Sequence, residues 1–404
     1  MSDPVAVPLS DLLRVKHGFA FPGSGFGLDA NRPQLVTPGN FAVGGGFQSS
    51  RVKSFEGEFP GSYVLNPGDL VITMTDLSKA GDTLGLPAII PSGDVYLHNQ
   101  RVGLVQIKDP DRVSSRFLNF YLRTKAYRSY ILGTASGSTV RHTSPGRIES
   151  FVALIPDISE QQAIAEVLGA LDDKIAANTK LARSSLDISS AIFQSHVRGI
   201  ARSSSTFSDV AKISGGGTPS TKEPEFWAGD INWATPSDVT ALAGPYLRST
   251  SRRISDEGLQ ACSSSLFQPG AILMTSRATI GAFAIAQAAT AVNQGFIVVE
   301  PIHEYMRYWL FHEMHSRVDE FLSLANGATF LELSRGNFKK LPVRLAVPEV
   351  LNSFAEIAGS LHSSAAAAHR ENVTLAATRD ALLPQLMSGA LRVRDAEKAV
   401  EAVL

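Results

Sequence analysis

His312-Glu313-Met314-His315 offers two imidazoles and a carboxylate, the donor types a zinc ion takes. It is one residue short of the H-E-x-x-H spacing that sets two histidines on one helix face, and no third ligand is suggested. The run Ser214-Gly215-Gly216-Gly217-Thr218-Pro219-Ser220-Thr221 is glycine-rich, as a phosphate cradle is. It lacks the G-x-x-x-x-G-K-[ST] spacing and the phosphate-binding lysine, so it reads as a mobile turn. Asp172 and Asp173 are adjacent on a predicted helix, point in different directions and read as solvated. No Asn-Pro-Pro-aromatic or Asp-Pro-Pro-aromatic tetrapeptide, the signature of amino-methyltransferases, occurs, and no nuclease-like acidic-lysine cluster is found. Catalysis by this chain alone is not expected.

The elements that would position any other chemistry are easier to read. Ile164, Leu168, Leu171, Ile175, Asn178, Ala182, Ser185, Ser189, Ile192 and His196 fall at helical 3-4 spacing, flanked by Val167, Leu181, Ile188, Phe193 and Val197. No proline interrupts the stretch from Ile158 to about Gly199, which predicts a rod of roughly 60 Å. Its apolar stripe is too narrow for full burial, so it needs a partner of similar length. A shift of 190 residues lands the seam on Phe354, Ala358, Leu361, Ala365, Ala368, Asn372, Leu375, Arg379, Leu382 and Leu386. Identities at that shift include Ala165/Ala355, Glu166/Glu356, Gly169/Gly359, Leu171/Leu361 and Gly199/Gly389. Two long amphipathic helices in one register imply a tandem duplication.

Composition sets the bounds. A chain of 404 residues with 44% hydrophobic content is expected to hold two or three domains. Its single cysteine, Cys262, excludes an intramolecular disulfide and any multi-cysteine zinc site. Residues 1–9 carry no leader-like pattern of basic then apolar residues. The most apolar run, Ala278 to Val292, falls short of the ~20 residues of a membrane span. A net charge of -1 counts mildly against nucleic-acid binding by the bare chain. Charge is uneven, however: residues 101–150 hold nine Lys or Arg against three Asp or Glu, which on charge alone reads as a solvated helix face.

Along the chain the echoes keep their order. Leu9-Ser10-Asp11-Leu12 returns as Phe207-Ser208-Asp209-Val210, after a linker at 198–205. Asn66-Pro67-Gly68-Asp69-Leu70-Val71 returns as Gln268-Pro269-Gly270-Ala271-Ile272-Leu273, each a turn leading into a strand. His98-Asn99-Gln100 returns as Val292-Asn293-Gln294. A helical pattern from Ser115 to Leu132, with Phe117, Phe120, Tyr121, Tyr127 and Ile131 inward, returns with Tyr305, Trp309, Leu310 and Val318. Ser136-Gly137-Ser138-Thr139-Val140 returns as Asn326-Gly327-Ala328-Thr329-Phe330. The predicted architecture is α+β: two tandem α/β domains at 1–157 and 201–348, long antiparallel coiled-coil helices at 158–200 and 349–390, and a tail at 391–404.

Gly216-Gly217-Thr218-Pro219-Ser220, then Phe226-Trp227 and Ile231-Asn232-Trp233-Ala234-Thr235-Pro236-Ser237-Asp238, resemble the opening of a target recognition domain in specificity subunits of type I restriction-modification systems. Ile155-Pro156 leading into Glu160-Gln161-Gln162-Ala163-Ile164-Ala165, Leu171-Asp172, and Ala381 to Gly389 are similar to that family too. The second helix departs, with Glu349-Val350-Leu351-Asn352 where the Glu-Gln pair stands in the first. The resemblance implies a non-catalytic DNA reader in which each domain recognises half of a bipartite duplex site. The paired helices would set the spacing and dock methyltransferase subunits, with a translocating restriction subunit joining them. It further implies that this chain binds no cofactor, that S-adenosylmethionine, ATP and Mg sit on the partner subunits, and that the setting is the bacterial or archaeal cytoplasm.

Within that resemblance, residue chemistry nominates contacts. Asn and Gln can bond adenine bidentately and Arg can bond guanine, which suits Asn99, Gln100, Arg101, Asn293 and Gln294, although loop hydrogen bonding explains them equally well. Thr139, Arg141, His142, Arg277 and Thr329 lie in polar loops at or near echoed positions. Arg123, Lys125, Arg128, Lys339 and Lys340 suit phosphate contacts. Trp227 and Trp233 read as core. Ile164, Leu168, Leu171, Ile175, Ile192, Phe354, Leu361, Leu375, Leu382 and Leu386 are the expected helix-pair or partner interface. A stand-alone DNA-binding regulator and a coiled-coil assembly adaptor remain as alternatives.

Overall fold

Glycine and proline set where the long helices stop and start. A computed structural model describes residues 4–48, 53–78, 80–327 and 331–404. The first long helix is Ile158–Val197 and the second Pro348–Met387, each of 40 residues and offset by the 190 seen in the sequence. Asp157 accepts the Glu160 backbone N–H at the start of the first, while Pro348 opens the second at a position that needs no N–H. Beyond their ends Gly199 and Gly389 take φ of 81° and 71°, the left-handed conformation that terminates helices.

The chain divides into two compact units, Met1–Ile175 with Thr374–Leu404, and Ala176–Val373. Each unit therefore holds the start of one long helix and the end of the other, an antiparallel arrangement.

In the first unit the strands Leu13–His17, Val102–Ile107, Leu70–Thr73 and Pro87–Ile89 form an antiparallel sheet in that order. A second sheet runs Phe26–Gly27, Lys53–Phe55, Gln34–Val36, Tyr96–His98, Val64–Leu65, with a parallel pair formed by Gln34–Val36 and Tyr96–His98. The pattern predicted as one helix from Ser115 is two, Ser115–Tyr121 and Lys125–Thr134, because Thr124 turns its hydroxyl onto the Tyr121 carbonyl between them. Phe117, Phe120, Tyr121, Tyr127 and Ile131 are buried as expected. They share one core with Ile164, Leu168, Leu171, Leu375, Leu382 and Leu386. Residues 391–404 contribute the helix Val393–Glu401, whose Ala396 and Val400 complete that core.

The second unit repeats the plan. Ala211–Ser214, Phe296–Pro301, Ile272–Thr275, Phe283–Ala286 and Tyr246–Leu247 form one sheet. Arg252–Ile254, Ile231–Ala234 and Thr290–Val292 form another, again with a parallel pair. Here Asn178 donates to Glu371 at 2.8 Å and Asn372 to Thr179 at 3.1 Å across the helix pair. Ala182, Ala365 and Ala368 form a small-residue core between the helices. Two seam expectations need correction. Leu361 is only half-buried and its neighbour His362 fills the seam, because the imidazole finds polar partners there. Leu181 and Ile188 are about half exposed, while Phe193 and Val197 carry the packing.

Candidate nucleic-acid interface

The echoed Asn-Gln dipeptides form the same turn in both units. Asn99 follows the strand Tyr96–His98 and its Oδ1 accepts the Arg101 backbone N–H at 3.1 Å. Asn293 follows Thr290–Val292 and accepts the Gly295 N–H at 2.8 Å. Such a turn consumes the asparagine oxygen and pushes the next side chain outward. Gln100 and Arg101 are accordingly exposed in the first unit and Gln294 in the second. Asn99 is buried, so it is a turn former and not a base reader. A second loop lies hard against each turn. Phe19 donates its N–H to the His98 carbonyl and Gly217 to the Val292 carbonyl. A Cβ on Gly18 would sit 2.1 Å from the Asn99 oxygen, and one on Gly216 1.8 Å from the Val292 oxygen, so only glycine fits either place.

Beside each turn is a short two-stranded bridge. Ser276 donates its N–H to the Gly295 carbonyl as Met74 does to Arg101, and Leu333 donates to Ser276 as Thr143 does to Met74. These bonds make Thr75 and His142 the counterparts of Arg277 and Glu332. Thr75 Oγ1 and His142 Nδ1 hydrogen-bond at 3.2 Å. Arg277 Nη2 and Glu332 Oε2 form an ion pair at 2.8 Å. A five-residue helix follows in both: Pro145–Glu149 capped by Ser144, and Arg335–Lys339 capped by Ser334. In the first unit Glu149 accepts the Val15 N–H, and in the second Lys339 is exposed.

The outcome in the second unit is an open groove of about 470 Å³ lined by Arg277, Gln294, Glu332, Ser334, Arg335 and Lys339 among others. Thr218 donates its hydroxyl to Gln294 Oε1 at 2.6 Å at its edge. Three cations against one carboxylate make this a place for a polyanion with donors and acceptors on its edge.

The structure thus gathers Arg277, Gln294 and Lys339 from the expected contacts. It adds Arg335, Ser334 and Glu332, which the sequence reading missed. Ser334 and Gly336 lie 190 residues beyond Ser144 and Gly146, so the shift that found the helices also marks this cap. Thr139 and His142 are exposed and Arg141 is partly buried on the corresponding bridge of the first unit. Thr329 lies outside the described residues. Lys125 and Lys340 are exposed, with Lys340 beyond the groove lining.

Two phosphate candidates are corrected. Arg123 is 4% exposed and donates to Asp172 at 3.0 Å, so its charge is spent inside the fold. Arg128 donates Nη2 to the Gly81 and Asp82 carbonyls and holds a loop. That loop is also fixed by Asp76. Burial raises its carboxyl pKa, but hydrogen bonds from Ser78 and Thr83 outweigh this and hold it below the usual carboxylate value. The near-zinc motif is dispersed. Glu313 is fully buried between Arg317 and Arg344, while His312 faces Ser189 and His362. Among the described residues no three His, Cys, Asp or Glu side chains are grouped to hold a metal. Trp233 is buried and donates to the Gly217 carbonyl. Trp227 is partly exposed under the Arg252 guanidinium, 3.4 Å from its ring.

The family described as "Type I restriction modification DNA specificity domain" matches residues 8–183 and 203–350, once for each copy. The chain belongs to that family. It is 36% identical over 154 residues to the type I restriction enzyme MjaIX specificity subunit of Methanocaldococcus jannaschii, a stretch covering 37% of this chain and 35% of the relative. It is 27% identical over 170 residues to the EcoBI specificity subunit of Escherichia coli, covering 41% of this chain and 31% of that one. The matched stretches thus span about a third of these curated relatives. The crystal structure of a type I restriction-modification S subunit from M. genitalium has the same fold, with 95% of each chain covered, a TM-score of 0.58 and 14% identity. Among the described residues, no helix is long and apolar enough to cross a membrane.

Proposed function

We propose that this chain is the DNA-specificity subunit of a type I restriction-modification complex. Each globular copy reads one half of a bipartite duplex site, and the two long helices set the spacing between halves and dock methyltransferase subunits. The observation that carries this reading is the duplication itself. Both copies present the same Asn-Gln turn backed by an obligatory glycine, yet the bridge beside it carries Thr75–His142 in one and Arg277–Glu332 in the other. A common frame with different edge chemistry suits two readers of different sequences. The chain itself is non-catalytic on this reading. S-adenosylmethionine, ATP and Mg act on the methyltransferase and restriction subunits, in the cytoplasm.

The test is to express the chain with its methyltransferase subunits in a host lacking other sequence-specific methylation and map the marked motifs. A bipartite motif is expected. Exchanging residues 207–340 for the equivalent domain of a relative should change one half and leave the other. If both halves change together, the copies do not read independently. Methylation or cleavage by the purified chain alone would contradict the non-catalytic assignment.

A further inference from the structure

We propose that Arg277 and Glu332 together read one G·C base pair in the half-site of the second unit; this rests on the function proposed above. The two side chains are 46% and 39% exposed and stand on the wall of the cationic groove. A half-exposed ion pair contributes little to stability, so the fold does not require it there. Its chemistry matches a G·C edge. Guanine presents the N7 and O6 acceptors in the major groove and cytosine presents the N4 donor. The guanidinium supplies paired donors and the adjacent carboxylate an acceptor.

A phosphate contact suits Arg277 poorly, because a carboxylate 2.8 Å from the guanidinium repels a second anion. Arg335 and Lys339 line the same groove and have no carboxylate partner among the described residues. They take the phosphates, which position the duplex without specifying it. The bridge of the first unit has no ion pair between its corresponding residues, with Thr75 bonded to His142, so the two units place different demands on the base pair facing this bridge. Gln100 and Gln294 occupy the same place in both turns and do not account for a difference between half-sites.

The experiment uses the full chain co-expressed with its methyltransferase subunits, with the host genome as the probe. In R277A and R277Q one G·C pair should become degenerate, in the half-site that the 207–340 exchange assigns to the second unit. Selectivity there should fall roughly five- to a hundredfold, the loss of a bidentate base contact. The other half-site should be intact, and R335A should weaken marking at all sites without altering the motif. Where R277A and R277Q mark nothing, R277K decides in the same way, since it keeps the charge and loses the fork. Unchanged selectivity at every pair in the Arg277 variants overturns the assignment, as does degeneracy at an A·T pair. A wild-type complex that marks no bipartite motif overturns the functional reading as well, and so is distinct from a failure confined to Arg277.

Discussion

The two units close their helix pairs with different chemistry at matching positions. In the first, Asp172 accepts from Arg123 at 3.0 Å and from Arg379 at 2.6 Å. The position 190 residues after Asp172 is His362, and the one 190 before Arg379 is Ser189. In the second unit, accordingly, His362 Nδ1 hydrogen-bonds the Tyr246 hydroxyl at 3.0 Å and its Nε2 meets His312 at 3.2 Å, with Ser189 2.8 Å from His312. A third site repeats the contrast. Gln161 is fully buried with its amide bonded to Ser114, Arg112 and Pro156, and its counterpart Leu351 packs in an apolar core. One backbone plan therefore accepts an ion cluster or a neutral network at the same place. The duplication fixes position, and each copy satisfies the position with its own polarity.

The contrast is tested most strongly by removing charge from the seam. Asp172→Asn removes the carboxylate hydrogen-bonded to the buried Arg123 guanidinium, leaving Asp380 as the carboxylate that still acts on it, and is expected to cost about 3 kcal/mol in the first unit. His362→Gln exchanges one neutral hydrogen-bonding group for another and is expected to cost about 1–2 kcal/mol in the second. Urea unfolding followed by hydrogen exchange of peptides from each unit measures both. Equal losses would show that the ion cluster is no more demanding than the histidines.

Acid should act in the opposite direction. Burial pushes His312 down to about 3, aided by His362 and His315, and burial alone pushes His362 down to about 4. Ser189, Tyr246, Tyr308 and His315 face the pair, and none is a carboxylate. In the first unit His98 is the comparable group. Burial takes it to about 4 against the partial support of the Val102 carbonyl. Each histidine is neutral when folded and binds a proton more readily when unfolded. Its contribution is therefore complete above the unfolded value of about 6.5 and is lost as pH falls toward the folded value. At pH 5 each costs about 2 kcal/mol, so two of them against one make the second unit lose at least about 2 kcal/mol more than the first. His315 and His369, also held down by burial in the second unit, act in the same direction. Hydrogen exchange at pH 7 and pH 5 reads the difference unit by unit. Equal acid sensitivity, or greater sensitivity in the first unit, would break the comparison.

The sequence exposed the plan better than the site. The 190-residue offset was visible because glycine caps and apolar spacing must recur wherever a helix of one length recurs, as at Gly199 and Gly389. The inward face of Phe117 to Ile131 was legible for the same reason. His362 was not, because Leu361 beside it is the more apolar choice and only Tyr246 and His312, distant in sequence, turn the imidazole inward. Arg123 looked like a surface cation because its sequence neighbours do not show Asp172. The groove hid for a related reason: Arg277, Gln294 and Arg335 come from three separate loops that only the bridge and turn bring together.

The smallest effect separates stability from reading. Ser144 and Ser334 cap matching five-residue helices, accepting the Arg147 N–H at 3.4 Å and the Asn337 N–H at 3.1 Å. Loss of such a cap costs about 1 kcal/mol. Pro145 opens the first helix with its φ already set, so Ser144→Ala should cost less than Ser334→Ala, where Arg335 stands in that place. The functional consequences differ more than the energies do. The helix after Ser144 ends on Glu149, bonded to the Val15 backbone, whereas the helix after Ser334 carries Arg335 and Lys339 into the groove. Ser334→Ala should therefore slow marking of the whole bipartite motif and make its loss with salt shallower, because loosened cations neutralise fewer phosphates. Ser144→Ala should lower thermal stability slightly and leave marking unchanged. Motif mapping and marking rates across a salt series decide it, and a Ser144→Ala variant as impaired as Ser334→Ala would show that both short helices serve binding alike.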